Sequence, residues 1–178
     1  MDSTTKAALA KEIYDTCHLT GNFVLRSGRV TNEYFDKYQL SAKSPLLFEI
    51  TKNMANLIPE GTEVIAGLEM GAIPVVTMLS YHSGLPAAFV RKQAKTHGTA
   101  RLAEGTSIEG KNVLVIEDIV TSGGQVLIST ADMRALGAKI ANALVIIDRQ
   151  DGGTEALNEI GVNLISLFNK SDFNDFGV

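Results

Sequence analysis

The chain has 178 residues, 45% of them hydrophobic and 20% charged, with a formal net charge of −4. That length suits one domain with a single sizeable core, and the mildly acidic balance excludes general nucleic-acid binding by bulk charge, so any anion site must be built locally. Cys17 is the only cysteine, the segment from Met1 to Lys11 lacks the apolar stretch of a secretory leader, and no apolar run reaches the ~18 residues that span a bilayer, so a disulfide framework and a membrane partner are both excluded and a reducing, cytoplasmic setting is expected.

Leu9 and Ile13, four apart on one face, predict a helix over residues 3–17. Residues 22–25 and 33–38 read as two short strands around the turn Ser27-Gly28-Arg29. Ser44-Pro45 predicts a helix start, with serine at the N-cap and proline at the first helical position, running to about residue 57. Apolar strands and helices then alternate. Residues 64–68 form a buried strand, 73–81 its helix and 87–90 the next strand. The polar stretch 91–110 has little apolar periodicity and reads mainly as a long loop. Residues 113–116 are a fully apolar strand, and 124–136 a helix that Gly137 stops. A strand at 143–147, a helix at 154–160 and a last strand at 162–167 complete the series.

This alternation predicts an α/β fold, a parallel β-sheet flanked by helices. A single domain covers residues 1–178, with about 1–42 as a small N-terminal hood and about 43–178 as the α/β core. In such sheets ligands sit beyond the carboxyl ends of the strands. Function is therefore sought in the segments just past those ends: Glu69-Met70-Gly71-Ala72, residues 91–98, residues 117–124, and Asp148-Arg149.

The string Val113-Leu114-Val115-Ile116-Glu117-Asp118-Ile119-Val120-Thr121-Ser122-Gly123-Gly124 carries most of the inference. A buried strand ends in two carboxylates, and a hydroxyl- and glycine-rich turn then opens a helix. Small residues at a helix N-terminus let backbone N–H groups close around a phosphate, and the helix dipole helps. Adjacent carboxylates can accept hydrogen bonds from a vicinal diol. Taken alone, an acidic pair at a strand end is more often a solvated terminus, and Thr121-Ser122 an ordinary cap. The complete string resembles the phosphoribosyl pyrophosphate (PRPP) signature of type I phosphoribosyltransferases. The resemblance implies that Glu117 and Asp118 hold the ribose hydroxyls, and that Thr121, Ser122, Gly123, Gly124 and Gln125 hold the 5-phosphate.

Arg91-Lys92-Gln93-Ala94-Lys95-Thr96-His97-Gly98, with Glu104-Gly105 beyond, places three fixed cations and a histidine within seven residues. A charge run of this kind is usually a solvated surface loop. The pattern resembles the catalytic loop of orotate phosphoribosyltransferases, a narrower group. That resemblance implies a homodimer in which the loop over residues 91–105 closes on the neighbouring subunit's site. Arg91, Lys92, Lys95 and His97 would then contact PRPP, with Lys95, His97 and Asp118 as catalytic residues. A closing loop would exclude water from an electrophilic sugar centre.

Phe23-Val24-Leu25-Arg26-Ser27-Gly28-Arg29, with Tyr34-Phe35 beyond, resembles the hood of the same family. It implies orotate contacts from Arg26, Tyr34 and Phe35, with Arg26 where many members carry lysine, and from Thr121. Arg149 fits the family's arginine that pairs with the base, and a guanidinium fork suits orotate's carboxylate. The segment from Leu68 to Pro74 has no lysine, although some members place one there. Mg²⁺ is expected as cofactor, carried mainly by PRPP and without a dedicated set of protein ligands. Gly105-Thr106-Ser107-Ile108-Glu109-Gly110-Lys111-Asn112 nearly matches a nucleotide P-loop, but it ends in asparagine and precedes a strand, so it is rejected. A phosphoribosyltransferase acting on a purine or uracil and a PRPP-responsive nucleic-acid regulator on the same fold stand as alternatives.

Overall fold

The computed structural model describes residues 1–24, 28, 30–93 and 101–176. Of the predicted features, Arg26, Ser27, Arg29, Lys95 and His97 lie outside the described residues.

Helix α1 (Ser3–Cys17) starts at Asp2, whose carboxylate accepts from the Thr5 N–H at 2.9 Å, and buries Leu9, Ala10, Ile13 and Cys17. Strands β1 (His18–Val24) and β2 (Val30–Phe35) form a separate antiparallel pair. The predicted second strand reached residue 38, but β2 stops at Phe35. Asp36 ends it by accepting from the Tyr38 N–H at 3.0 Å, which caps a short helix α2 (Lys37–Ala42). Lys43 alone then links α2 to α3 (Ser44–Ala55). Ser44 is therefore already helical, and the N-cap is Lys43 rather than the serine expected from sequence.

The remaining elements are β3 (Val64–Leu68), α4 (Ala72–Ser83), β4 (Ala87–Val90), β5 (Ala103–Gly105), β6 (Asn112–Val120), α5 (Gly124–Ala135), β7 (Lys139–Asp148), α6 (Gly153–Glu159), β8 (Asn163–Asn169) and a closing 3-10 helix, Lys170–Phe176. The six-stranded sheet has the order β5-β4-β3-β6-β7-β8. Every pairing is parallel except β4 with β5, which is antiparallel. The stretch expected to be loop thus contains an edge strand, too short for periodicity to register.

Alternation along the strands explains the two layers. Ile65, Leu114, Ile116, Leu144 and Ile146 face one core with α1, α3 and α4. Val64, Ala66, Val113, Val115, Ala143 and Val145 face another with Val126 and Met133 of α5 and Leu157 of α6. Successive side chains leave opposite faces of a strand, so a strand covered twice must be apolar throughout. Strand β6 outlasts the predicted 113–116 because its ladder with β7 continues through Glu117–Val145, Ile119–Ile147 and Val120–Asp148. The acidic pair therefore lies within the strand instead of after it. From β3 the order runs outward to β4, and from β6 outward to β7 and β8, which puts the reversal between β3 and β6. Ligand crevices open at such reversals.

Candidate active site

At that reversal the carboxyl ends of β3 and β6 border a polar cleft of about 380 Å³, within the roughly 300–1,000 Å³ of small-molecule sites. Glu69, Met70 and Gly71 line one wall, and Glu117, Ile119, Val120, Thr121 and residues 123–126 line another. Lys37 and Tyr38 of α2 border it as well.

Asp118 is 2% exposed and Glu117 8%. A carboxylate this deep needs partners. Asp118 has them: Oδ1 accepts from Lys37 Nζ at 3.0 Å and from the Ile119 N–H at 2.7 Å. Burial alone would lower the Lys37 pKa, but the Asp118 carboxylate, aided by Glu117, outweighs it and holds the ammonium above its ordinary value. A Cβ on Gly71 would overlap the Asp118 carboxylate, so only glycine lets the β3–α4 turn pack on the acid. Glu117 is less well served. Its Oε2 is buried with no hydrogen-bond partner among the described residues. Burial, reinforced by Asp118 and only partly opposed by Lys37, pushes the Glu117 carboxyl up to about 9. A buried acceptor left open in this way has room for a ligand's hydroxyl donor.

The turn expected from sequence to hold a phosphate follows the end of β6. Gly123 adopts φ 77°, a left-handed conformation that glycine reaches without steric cost. No side chain caps α5, so the hydroxyls of Thr121 and Ser122 are not consumed as an ordinary cap. The Leu127 N–H closes the turn on Gly123 O at 2.9 Å. The N–H groups of Gly124, Gln125 and Val126 precede it, have no acceptor within the helix, and belong to residues that border the cleft. Thr121 also borders it, and Ser122 is exposed beside it.

The other predicted positions divide. Lys92 lines the cleft, and its N–H donates to Glu69 Oε1 at 2.6 Å. Arg91 does not border the cleft; its N–H donates to Leu102 O at 2.9 Å, and its Nε is buried without a partner among the described residues. Phe35 and Arg149 both line a hollow of about 10 Å³ with Ile147, Lys170 and Phe173, too small to take a base as it stands. The Arg149 N–H donates to Val120 O at 2.8 Å, which holds this residue beside the end of β6. Tyr34 is 44% exposed and stacks on Phe23, with ring centroids 5.3 Å apart, on the β1–β2 pair. Among the described residues no group of three or more His, Cys, Asp or Glu is placed to hold a metal ion.

A family described as the phosphoribosyl transferase domain matches residues 38–171. The orotate phosphoribosyltransferase of a Nocardioides species is 42% identical over 169 residues, which covers 95% of this chain and 94% of that protein. The chain belongs to the orotate phosphoribosyltransferase family. The family's protein from Methanocella arvoryzae is 38% identical over 85% of this chain and 87% of its own length. Among solved structures, Mycobacterium tuberculosis orotate phosphoribosyltransferase in complex with Fe(III) dicitrate superposes with a TM-score of 0.86 at 30% identity, covering 97% of this chain and 99% of that one. The complex of the M. tuberculosis protein with PRPP gives a TM-score of 0.81 at 27% identity, covering 95% and 98%. The mostly parallel sheet with flanking helices is the fold that the sequence resemblance implied.

Sequence reading missed Lys37, because it placed residues 33–38 on one strand. The signal was present in Asp36: a short acidic side chain before a polar helix-forming stretch marks an N-cap. Gly71 was noted only within its turn, since nothing local announces that its Cα faces an acid 47 positions away in the chain.

Proposed function

We propose that this chain transfers ribose 5-phosphate from PRPP to orotate, giving orotidine 5'-monophosphate and pyrophosphate, a step in the synthesis of pyrimidine nucleotides. The observation that carries the reading is the placement of buried Glu117, with Asp118 next to it, and an uncapped glycine turn along one cleft. The turn suits the 5-phosphate, and Glu117 with Asp118 suits the ribose diol.

In the transfer, the bond from the anomeric carbon to pyrophosphate breaks, and its electron pair leaves with pyrophosphate. A bond from orotate's ring nitrogen to the same carbon forms. Negative charge grows on the departing pyrophosphate as positive character grows on the sugar, so cations around the pyrophosphate stabilise the transition state. Lys92 supplies one from the cleft wall, and Lys95 and His97 are assigned the same task. Arg149, with Phe35 beside it, is assigned to orotate, as are Arg26, Tyr34 and Thr121. The family implies Mg²⁺. The Asp118 carboxylate fits a cation held mainly by substrate oxygens, and Mg²⁺ there would neutralise charge on pyrophosphate. No covalent nucleophile is assigned: Cys17 is fully buried, and burial pushes its thiol up to about 12. A homodimer sharing its sites through residues 91–105, and a cytoplasmic location, belong to the same reading.

The test is orotate consumption measured by absorbance, with and without PRPP, beside a panel of purine and uracil bases. PRPP-dependent loss of orotate alone supports the assignment. Turnover of another base with orotate inert would replace it.

A further inference from the structure

Lys37 is a charged side chain in the cleft that the transfer scheme leaves without a task. Its ammonium lies 3.0 Å from Asp118 Oδ1, with 35% of its side chain exposed against 3% for Asp118. An ammonium carries three donors, and the structure shows one of them spent on a protein partner. On the assumption that the cleft performs phosphoribosyl transfer, we propose that Lys37 contacts the substrate. It neutralises Asp118 while the cleft is empty, and on loading it releases Asp118 to the ribose diol and takes an oxygen of the pyrophosphate.

Position argues for the pyrophosphate end. With the 5-phosphate in the Thr121–Gln125 turn and the diol on the acidic pair, the anomeric substituent points away from that turn. The residues on the far side are Glu69, Met70 and Gly71, with Gly71 packed on Asp118, and Lys37 reaches the same carboxylate.

Charge argues for the same end. The turn after β3 brings a carboxylate, Glu69, and no cation to an end that must receive a polyanion. Among the described residues bordering the cleft, only Lys37 and Lys92 carry a positive charge. Lys37 is the more enclosed of the two, since Lys92 is exposed. A buried carboxylate stripped of its cation would be costly. Diol hydroxyls arriving at Asp118 replace the ammonium as donors, so the lysine is freed as the polyanion arrives. Only hydrogen bonds and an ion pair are exchanged in this step.

The test uses magnesium pyrophosphate as the probe, titrated calorimetrically into the full chain. Four proteins are compared: the unaltered chain, Lys37→Met, Asp118→Asn, and the double variant. Asp118→Asn removes the charge that Lys37 neutralises, so any effect of Lys37→Met that persists in this background is a direct contact. The expected result is a loss of pyrophosphate affinity of about tenfold or more when Lys37→Met is added to Asp118→Asn, the size of a hydrogen bond to a charged group, and a smaller loss in the unaltered chain, where pyrophosphate brings no diol to release the lysine from Asp118. Lys37→Arg should retain most of the affinity. An unchanged affinity when Lys37→Met is added to Asp118→Asn would reduce the lysine to a counter-ion and overturn the proposal. Orotate turnover by the unaltered chain is measured in parallel. If it is absent, the transfer reading itself fails; if it is present while pyrophosphate binding ignores Lys37, only the lysine assignment fails.

Discussion

Glu69 Oε1 accepts a hydrogen bond from the Lys92 N–H at 2.6 Å, across 23 positions of sequence. It ties the turn after β3 to the start of the segment beyond β4. One carboxylate thus sets the distance between a wall of the cleft and the base of the cation-rich stretch. Glu69→Ala should free the Lys92 amide, and hydrogen exchange at that amide should speed up about tenfold or more, as expected for losing a hydrogen bond to a charged acceptor. Glu69→Gln keeps an acceptor and should show a smaller rise. Equal exchange in all three proteins would mean that the contact does not hold in solution.

Gly71→Ala tests the close approach to Asp118. The backbone at Gly71 is ordinary, with φ −63°, so the substitution carries no conformational penalty of its own. The added methyl meets the Asp118 carboxylate, and overpacking of this kind costs about 1–3 kcal/mol. Displacing the acid should also cut kcat/KM for PRPP by about 10²-fold, on the scale of misplacing a group that holds the substrate. A variant with full activity and unchanged Tm would show that the turn gives way easily.

The raised pKa of Glu117 has a definite sign. The folded chain keeps a proton on this carboxyl up to about pH 9, whereas the unfolded chain releases it near 4.5. The folded state binds more protons over that window, so the stability of the ligand-free protein falls as pH rises through it. Glu117→Gln removes the titrating group and should flatten Tm against pH across the window from about 4.5 to about 9, measured by calorimetry at fixed ionic strength. Parallel curves for the two proteins would place the pH dependence elsewhere.

Arg149→Ala should raise KM for orotate and leave KM for PRPP nearly unchanged, because Arg149 borders no part of the cleft that holds the glycine turn. Steady-state kinetics with each substrate varied in turn decides this. Equal effects on both Michaelis constants would remove the base-binding role.

Lys95→Ala should lower turnover by about 10²–10³-fold, the cost of removing one contact that strengthens in the transition state, while PRPP binding measured by calorimetry changes far less. An unaltered turnover would take Lys95 out of the mechanism.

Local pattern alone determined the class of fold, the order of the main helices and strands, and the segment most charged with function. Hydrophobic runs such as 113–116 state their own burial, and Thr121-Ser122-Gly123-Gly124 states its own backbone freedom, because periodicity and steric permissiveness are properties of neighbouring residues. Tertiary structure decided what no neighbour encodes. Strand β6 runs through the acidic pair because β7 continues beside it, β5 exists because β4 offers an unpaired edge, and Asp118 faces Lys37 and Gly71 because the sheet brings three distant segments to one crevice. A hydrogen-bond ladder and a buried charge each take their energy from a partner far along the chain, and that partner is chosen only when the sheet closes.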